Sequence, residues 1–180
     1  MGAEETTEQP TAPRAPRATA AEIEAEHLRT LLWWALGSTA AGTLLWWSGS
    51  RAHRSGLAAF GRQNIMWGAV DGAIAGVGML RQRRSRDPAP GTDAERARTL
   101  RRVLLGNAVL DVGYVAVGTA LIAFRHRVAR GTRYTAPQSA GDGAAIILQG
   151  GFLLVLDAVN GTRIGAAPVV GAPGAAAQKM

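Results

Sequence analysis

The chain contains no cysteine and only one lysine, against 19 arginines in 180 residues. The absence of cysteine excludes disulfides, thiolate metal sites, iron–sulfur clusters and a cysteine nucleophile. Enzyme signatures are also missing, since the sequence contains neither His-Glu-x-x-His nor Gly-x-Ser-x-Gly, and no phosphate-binding glycine loop ends in lysine. The three histidines, His27, His53 and His126, lie far apart near the ends of apolar blocks, and we interpret them as interface residues. We therefore expect no enzymatic activity, no cofactor and no metal site.

Charge is almost absent from four blocks of the sequence, at residues 28–48, 63–80, 103–124 and 143–161. A transmembrane helix needs about 20 mostly apolar residues, and each block approaches or meets that length. The pattern predicts an all-α integral membrane protein whose four transmembrane helices form an antiparallel up-down bundle.

Polar flanking segments set the limits of this domain, which we place at residues 19–162. Residues 1–18 and 163–180 are rich in Ala, Pro, Gly and Thr, and we expect both to be disordered tails. Thr19 and Glu22 match a capping box, which predicts a helix leading into the first block.

The formal net charge is +7, and most of the basic residues lie between the blocks. No stacking-aromatic motif accompanies them, so we expect the lipid bilayer, and not nucleic acid, as the partner. Cytoplasmic connectors carry the larger share of Arg and Lys, and the predicted loop 81–102 holds eight Arg. This distribution predicts that both termini are cytoplasmic. The excess of Arg, Ala and Gly is typical of a bacterial protein. Together with the four predicted spans, it predicts a location in the bacterial plasma membrane.

Asp71 lies at the centre of the second block and has no charged neighbour between residues 63 and 80. An acid at the centre of a bilayer costs roughly 2.5–3.5 kcal/mol on insertion scales, so other helices must shelter it. Helical spacing and depth place several further polar residues near the same level. The predicted intramembrane polar layer consists of Asp71, Asn107, Asp111, Tyr114, Gln149 and Asp157.

Tryptophans and glycines predict the surroundings of that layer. The pairs Trp33–Trp34 and Trp46–Trp47 bracket the first block and are predicted to anchor it at the two interfaces. Gly68, Gly72 and Gly76 repeat every four residues and predict close packing against another helix. That helix could belong to the same chain, to a second copy in a homo-oligomer, or to an unidentified membrane partner.

The two halves of the sequence show a faint internal repeat. The matched groups are Thr19-x-x-Glu22 with Thr92-x-x-Glu95, Gly42-Thr43 with Gly118-Thr119, and Gln63-x7-Asp71 with Gln149-x7-Asp157. A duplication would relate two helical hairpins by an axis along the membrane normal and would bring Asp71 towards Asp157.

Three stretches resemble an uncharacterised family of small four-helix membrane proteins, found widely in actinobacteria and described as a domain of unknown function. They are QNIMWGAVDGAIAGVG, LRRVLLGNAVLDVGYVAVGTAL and LQGGFLLVLDAVNG. The resemblance covers about residues 45–162, and its most specific part is Asn107, Asp111 and Tyr114. Asp71 departs from the family pattern, in which Asn is more usual there. The resemblance implies fold and location but no activity.

Two functions remain open from the residues alone. In the first, the chain is a structural or partner-binding membrane component whose polar layer fixes helix packing. In the second, it is a proton- or cation-linked transporter or channel component that uses its intramembrane Asp residues.

Overall fold

The computed structural model describes residues 18–84 and 93–166, which form five helices and no strand. The prediction of an all-α fold is confirmed. The helices are α1 (Ala20–Arg51), α2 (Ser55–Arg84), α3 (Asp93–Ala123), α4 (Arg125–Gly131) and α5 (Ala136–Ala166). Each long helix covers one predicted block, except that α3 ends one residue short of its block, and α4 adds a short helix that the sequence analysis did not predict.

The helices extend beyond the predicted blocks. Only residues 52–54 link α1 to α2, where a connector over 49–62 was expected, and His53 there adopts a left-handed conformation with φ of 54°. In the same way, α5 continues to Ala166, so Arg163 belongs to a helix and not to a tail. The rest of the predicted tails, and residues 85–92 of the predicted loop 81–102, lie outside the described residues.

Capping explains two of the helix starts. The Thr19 hydroxyl accepts from the Glu22 backbone N–H, and the Glu22 carboxylate accepts from the Thr19 N–H, as the sequence predicted. A second reciprocal pair joins Thr135 to Gln138 and begins α5 seven residues before the predicted block. Its Thr-x-x-Gln pattern is visible in the sequence but was missed. Thr92, of the other predicted capping box, lies outside the described residues.

Two antiparallel hairpins, α1–α2 and α3–α5, make up the bundle. The two hairpins meet chiefly through α2 and α5. Near the α1–α2 turn, Gly56 of α2 contacts Pro137 and Gly141 of α5. We call the end of the bundle that holds this turn and α4 the hairpin end. At the opposite end, which we call the N-terminal end, Ile23, Leu104 and Ile164 form a small apolar core.

Glycine lets the helices of each hairpin approach closely. Gly42 faces Gly61 in the first hairpin and Gly118 faces Gly143 in the second, each pair with backbone against backbone. Gly68 also packs against α1, at Ala35 and Thr39. In the predicted ladder, Gly72 makes only an ordinary contact, and a Cβ on Gly76 would meet nothing within 4 Å. Gly76 therefore has no close neighbour among the described residues, and its packing against a second copy or another membrane protein stays a prediction.

The two hairpins repeat the same contacts. Gly68 packs on positions 35 and 39 of α1, while Gly150 packs on positions 111 and 115 of α3. The glycine pairs Gly42–Gly61 and Gly118–Gly143 follow the same shift, which is 76 residues from α1 to α3 and 82 from α2 to α5. In this register Asp157 corresponds to Ala75. The predicted match of Asp71 with Asp157 is therefore wrong by one helical turn.

Two of the long helices meet a simple criterion for crossing a membrane. Residues Ala94–Ala123 of α3 and all of α5 are long and apolar enough by length and composition. The other two predicted spans are not confirmed, because α1 carries four Trp among small residues and α2 carries Gln63, Asn64 and Asp71. These residues lower the mean hydropathy of both helices.

Replacing Gly42 by Ala tests the close approach within the first hairpin. The added Cβ would lie 2.7 Å from the Gly61 carbonyl oxygen and 3.0 Å from the Ile65 nitrogen, and backbone atoms cannot move aside cheaply. We expect the free energy of unfolding in detergent micelles to fall by about 1–3 kcal/mol.

Gly37→Ala, in the same helix, is the matched control, because nothing lies within 4 Å of its new Cβ. It should be neutral or stabilising, because Ala favours a helix over Gly by about 1 kcal/mol. Equal effects of the two substitutions would contradict the proposed contact.

Candidate functional site: two buried polar clusters

Polar side chains occupy the inside of the bundle. The largest side chains that are fully buried are Gln149, Asp71 and Ser139, and none of them is apolar. Most of the buried polar groups of α1, α2, α3 and α5 fall into two clusters, at two levels along the helices, whereas Ser139 and Asp142 lie near the start of α5. Seven residues separate the clusters along α2 and eight along α5, which is about 10–12 Å at helical rise.

The first group, which we call the amide cluster, consists of Trp34, Ser38, Asn64 and Gln149. Gln149 donates to the Ser38 hydroxyl at 3.1 Å and to the Asn64 side-chain oxygen at 2.8 Å. Its own oxygen accepts from the Trp34 indole N–H at 2.6 Å. Three helices are thereby joined through one side chain, and the polar groups of Gln149 are satisfied.

Trp34 corrects the prediction of four interface anchors. Its ring stacks on Phe152 with centroids 3.8 Å apart, so it faces α5. Trp33, Trp46 and Trp47 are exposed. Neighbouring residues in a helix point about 100° apart, so both members of a Trp pair seldom face the same surroundings.

The second group, which we call the acid cluster, consists of His27, Asp71, Asp111 and Asp157. The three aspartates are 1%, 4% and 5% exposed and come from α2, α3 and α5. Like-charge repulsion acts between Asp71, Asp111 and Asp157. All three carboxyl groups are therefore turned into the bundle and not outwards.

His27 was missed by the sequence analysis, which placed it at an interface. It is buried, with Nε2 lying 3.5 Å from Asp157 Oδ1 and Nδ1 lying 3.5 Å from the Asn160 amide nitrogen. The available signal was the spacing of Ile23, His27, Leu31 and Ala35, which forms one stripe on a helix that begins before the apolar block. Asp157 thus has one basic side chain beside it.

The remaining members of the predicted layer lie elsewhere. Gln149 belongs to the amide cluster. Tyr114 is 40% exposed and packs edge-on against Trp67, with centroids 5.0 Å apart. Asn107 is on the exposed side of α3, although its side chain reaches Asp157. The single predicted layer of six residues is therefore divided.

Two carboxyl oxygens of the acid cluster are unsatisfied. Asp71 Oδ2 and Asp111 Oδ2 are buried and have no hydrogen-bond partner among the described residues. Within residues 18–84 and 93–166, no three His, Cys, Asp or Glu side chains are placed together to hold a metal ion.

Ion pairs surround both ends of the bundle. At the N-terminal end, Arg163 pairs with Glu26 and Arg96 pairs with Glu24, each at 2.9 Å. At the hairpin end, Arg62 lies 3.3 Å from the buried Asp142. These pairs tie α1 to α5, α1 to α3, and α2 to α5.

Substitution of Gln149 by Leu should destabilise the bundle. It would leave the indole of Trp34 and the buried side chains of Ser38 and Asn64 without their shared partner, and we expect a loss of about 1–3 kcal/mol. Trp34→Phe keeps an aromatic ring beside Phe152 but removes the N–H donor and part of the indole volume. It leaves the bonds from Gln149 to Ser38 and Asn64 in place, so its effect should be smaller. Unfolding monitored by circular dichroism measures both. The control is Leu148→Met at an exposed neighbour, expected within about 0.5 kcal/mol of the unmodified chain.

The Glu26–Arg163 pair should give an acid-sensitive contribution to stability. The hydrogen bond from Arg163, and then its charge, lower the pKa of Glu26. A carboxyl group whose pKa is lowered by folding stabilises the fold above its unfolded pKa, about 4.3 for Glu, and loses that effect as the pH falls through the folded value. The stability difference between the unmodified chain and Glu26→Gln should therefore disappear on acidification. In an Arg163→Gln background no such pH dependence should remain.

Comparison with known proteins gives one match. No curated protein and no solved structure matches the chain. A family model described as a family of unknown function, DUF6992, matches residues 30–158. That range includes most of α1, all of α2, α3 and α4, and both buried clusters apart from His27. The chain belongs to this family of unknown function, DUF6992.

Proposed function

We propose that the chain is a multi-pass protein of a bacterial plasma membrane, with α1, α2, α3 and α5 all crossing the bilayer. Its role in this proposal is structural or partner-binding and not enzymatic. The buried polar clusters fix how the helices pack, and the outer faces meet lipid and a membrane partner.

The observation that carries the proposal is the reversed distribution of polar and apolar side chains. Large apolar residues lie exposed on α1 and α2 as well as on the two more hydrophobic helices, while Asp, Asn and Gln side chains lie inside. On α1 they include Leu36 and Leu44, and on α2 they include Val70 and Ile74. An aqueous solvent would disfavour an apolar surface of this extent, whereas lipid favours it.

The charges at the two ends support an orientation. The start of α1, the end of α2, the start of α3 and the end of α5 lie at the N-terminal end of the bundle. The sequence that adjoins these helix ends carries the larger share of Arg and Lys. The positive-inside rule then places that end, with both termini, in the cytoplasm.

The outer face of α3 supports a partner-binding role. α3 packs mainly against α5, and Cβ atoms added to Gly106 or Gly113 would meet nothing within 4 Å. Small residues on an exposed helix face allow a partner helix or a second copy to approach closely.

Single cysteines test the four-span topology directly, because the chain has none of its own. In intact cells, a membrane-impermeant maleimide should label Thr132→Cys, at the hairpin end, and should label Ser85→Cys only after the cells are opened. Leu44→Cys and Ile74→Cys are exposed positions on α1 and α2, and both should react only after the membrane is dissolved.

Labelling of Leu44→Cys or Ile74→Cys in intact membranes would contradict the proposal that all four long helices cross the bilayer. Labelling of Ser85→Cys from outside would reverse the orientation and leave the spans in place.

A further inference from the structure

The acid cluster contains carboxyl oxygens that form no hydrogen bond between the helices. Asp157 has His27 and Asn107 beside it, but Asp71 and Asp111 each keep one buried oxygen without a partner in the described part of the chain. Packing through hydrogen bonds, as in the amide cluster, would leave no such oxygen. An ionised carboxylate in this position is costly, and binding a proton removes the charge.

The charged and titratable groups around the cluster come from four helices. They are His27 on α1, Asp71 on α2, Asp111 on α3 and Asp157 on α5, with the pairs Glu26–Arg163 and Glu24–Arg96 at the rim. Of the three acids, Asp157 contacts the imidazole of His27, at 3.5 Å. Each rim arginine is paired with its own glutamate at 2.9 Å.

A continuous line of polar groups leads from the cluster to the N-terminal end. Asp157 lies beside His27, and His27 lies beside Asn160. The Asn160 oxygen accepts from Arg163 at 3.2 Å, and Arg163 donates to the exposed Glu26. In this line His27 is the group that can accept a proton from one side and release it to the other.

The opposite direction is closed to proton transfer of this kind. The next polar group towards the hairpin end is the amide cluster, whose Trp, Ser, Asn and Gln side chains do not change protonation near neutral pH. The first titratable pair beyond it is Arg62–Asp142. The cluster is thus connected to one end of the bundle only, which favours reversible proton binding over transport.

We infer that His27, Asp71, Asp111 and Asp157 form a buried proton-binding centre that exchanges protons with the N-terminal end of the bundle through His27. If the proposed orientation holds, this end faces the cytoplasm, and the bundle responds to cytoplasmic pH. The assignment of the side rests on the proposed function, whereas the centre itself does not. Binding transfers one proton from water to a carboxylate and breaks no other bond.

Infrared spectroscopy of the full chain in lipid nanodiscs tests the centre, because a protonated carboxyl group has its own carbonyl band. The band should be present at low pH, should persist above about pH 3.9, where an exposed Asp has lost its proton, and should disappear at higher pH. Asp111→Asn and Asp157→Asn should each reduce it. Asp142→Asn, which removes a buried acid paired with Arg62, should leave the titrating band unchanged.

His27→Gln separates a proton-transfer role from a packing role. Glutamine can still bond Asn160, so circular dichroism should show a folded chain. Exchange of the carboxyl proton for deuterium should slow by about 100-fold or more, which is the acceleration that a positioned acid–base group supplies. An unchanged exchange rate would overturn the role of His27.

Two results would overturn the centre itself. A carboxyl band that is absent, or that is present and does not titrate, would make the acids purely structural. A band that responds to sodium chloride but not to choline chloride at fixed pH would make the ligand a cation. The infrared measurements can also be made in detergent solution, so they test the centre even if the chain does not insert into a membrane. Cysteine labelling tests insertion separately, so failure of the membrane proposal is distinguishable from failure of the centre.

Discussion

The burial of three carboxyl groups within reach of one another constrains the whole bundle. Asp71, Asp111 and Asp157 come from three different helices, so these helices can pack only if the acids are neutralised or partnered. No Lys or Arg from the described residues contacts them, and His27 supplies the one basic neighbour. The close glycine contacts at Gly42–Gly61 and Gly118–Gly143 hold the hairpins rigidly enough to keep the acids together.

Much of the helical architecture was predictable because charge is excluded from blocks of helical length and because polar residues stand out inside them. The burial of Asp71, Asp111, Gln149 and Asp157 follows from this contrast. The position of Tyr114 was predicted wrongly. Helical spacing shows which residues share a face of a helix but not which neighbour covers that face, and the ring of Tyr114 packs against Trp67. His27 was missed because the charge pattern marks the start of an apolar block, whereas α1 begins eight residues earlier.

The two clusters differ in a way that follows from side-chain chemistry. The amide cluster is closed, because Gln149 both donates and accepts and its neighbours complete its hydrogen bonds. The acid cluster is open, because a carboxylate only accepts and the bundle offers it few donors. The bundle therefore contains one level at which hydrogen bonds fix the side chains and a second level at which the charge depends on protonation.

The repeated hairpin contacts have a consequence for stoichiometry. Two identical hairpins packed in this register would carry every polar residue twice. Histidines and acids would then each be present in even numbers. Joining the hairpins in one chain lets equivalent positions diverge, as Ala75 and Asp157 have done, and Ala35 and Asp111. The linked pair can instead bury three acids of the acid cluster together with a single histidine, which a symmetric pair of identical hairpins cannot do.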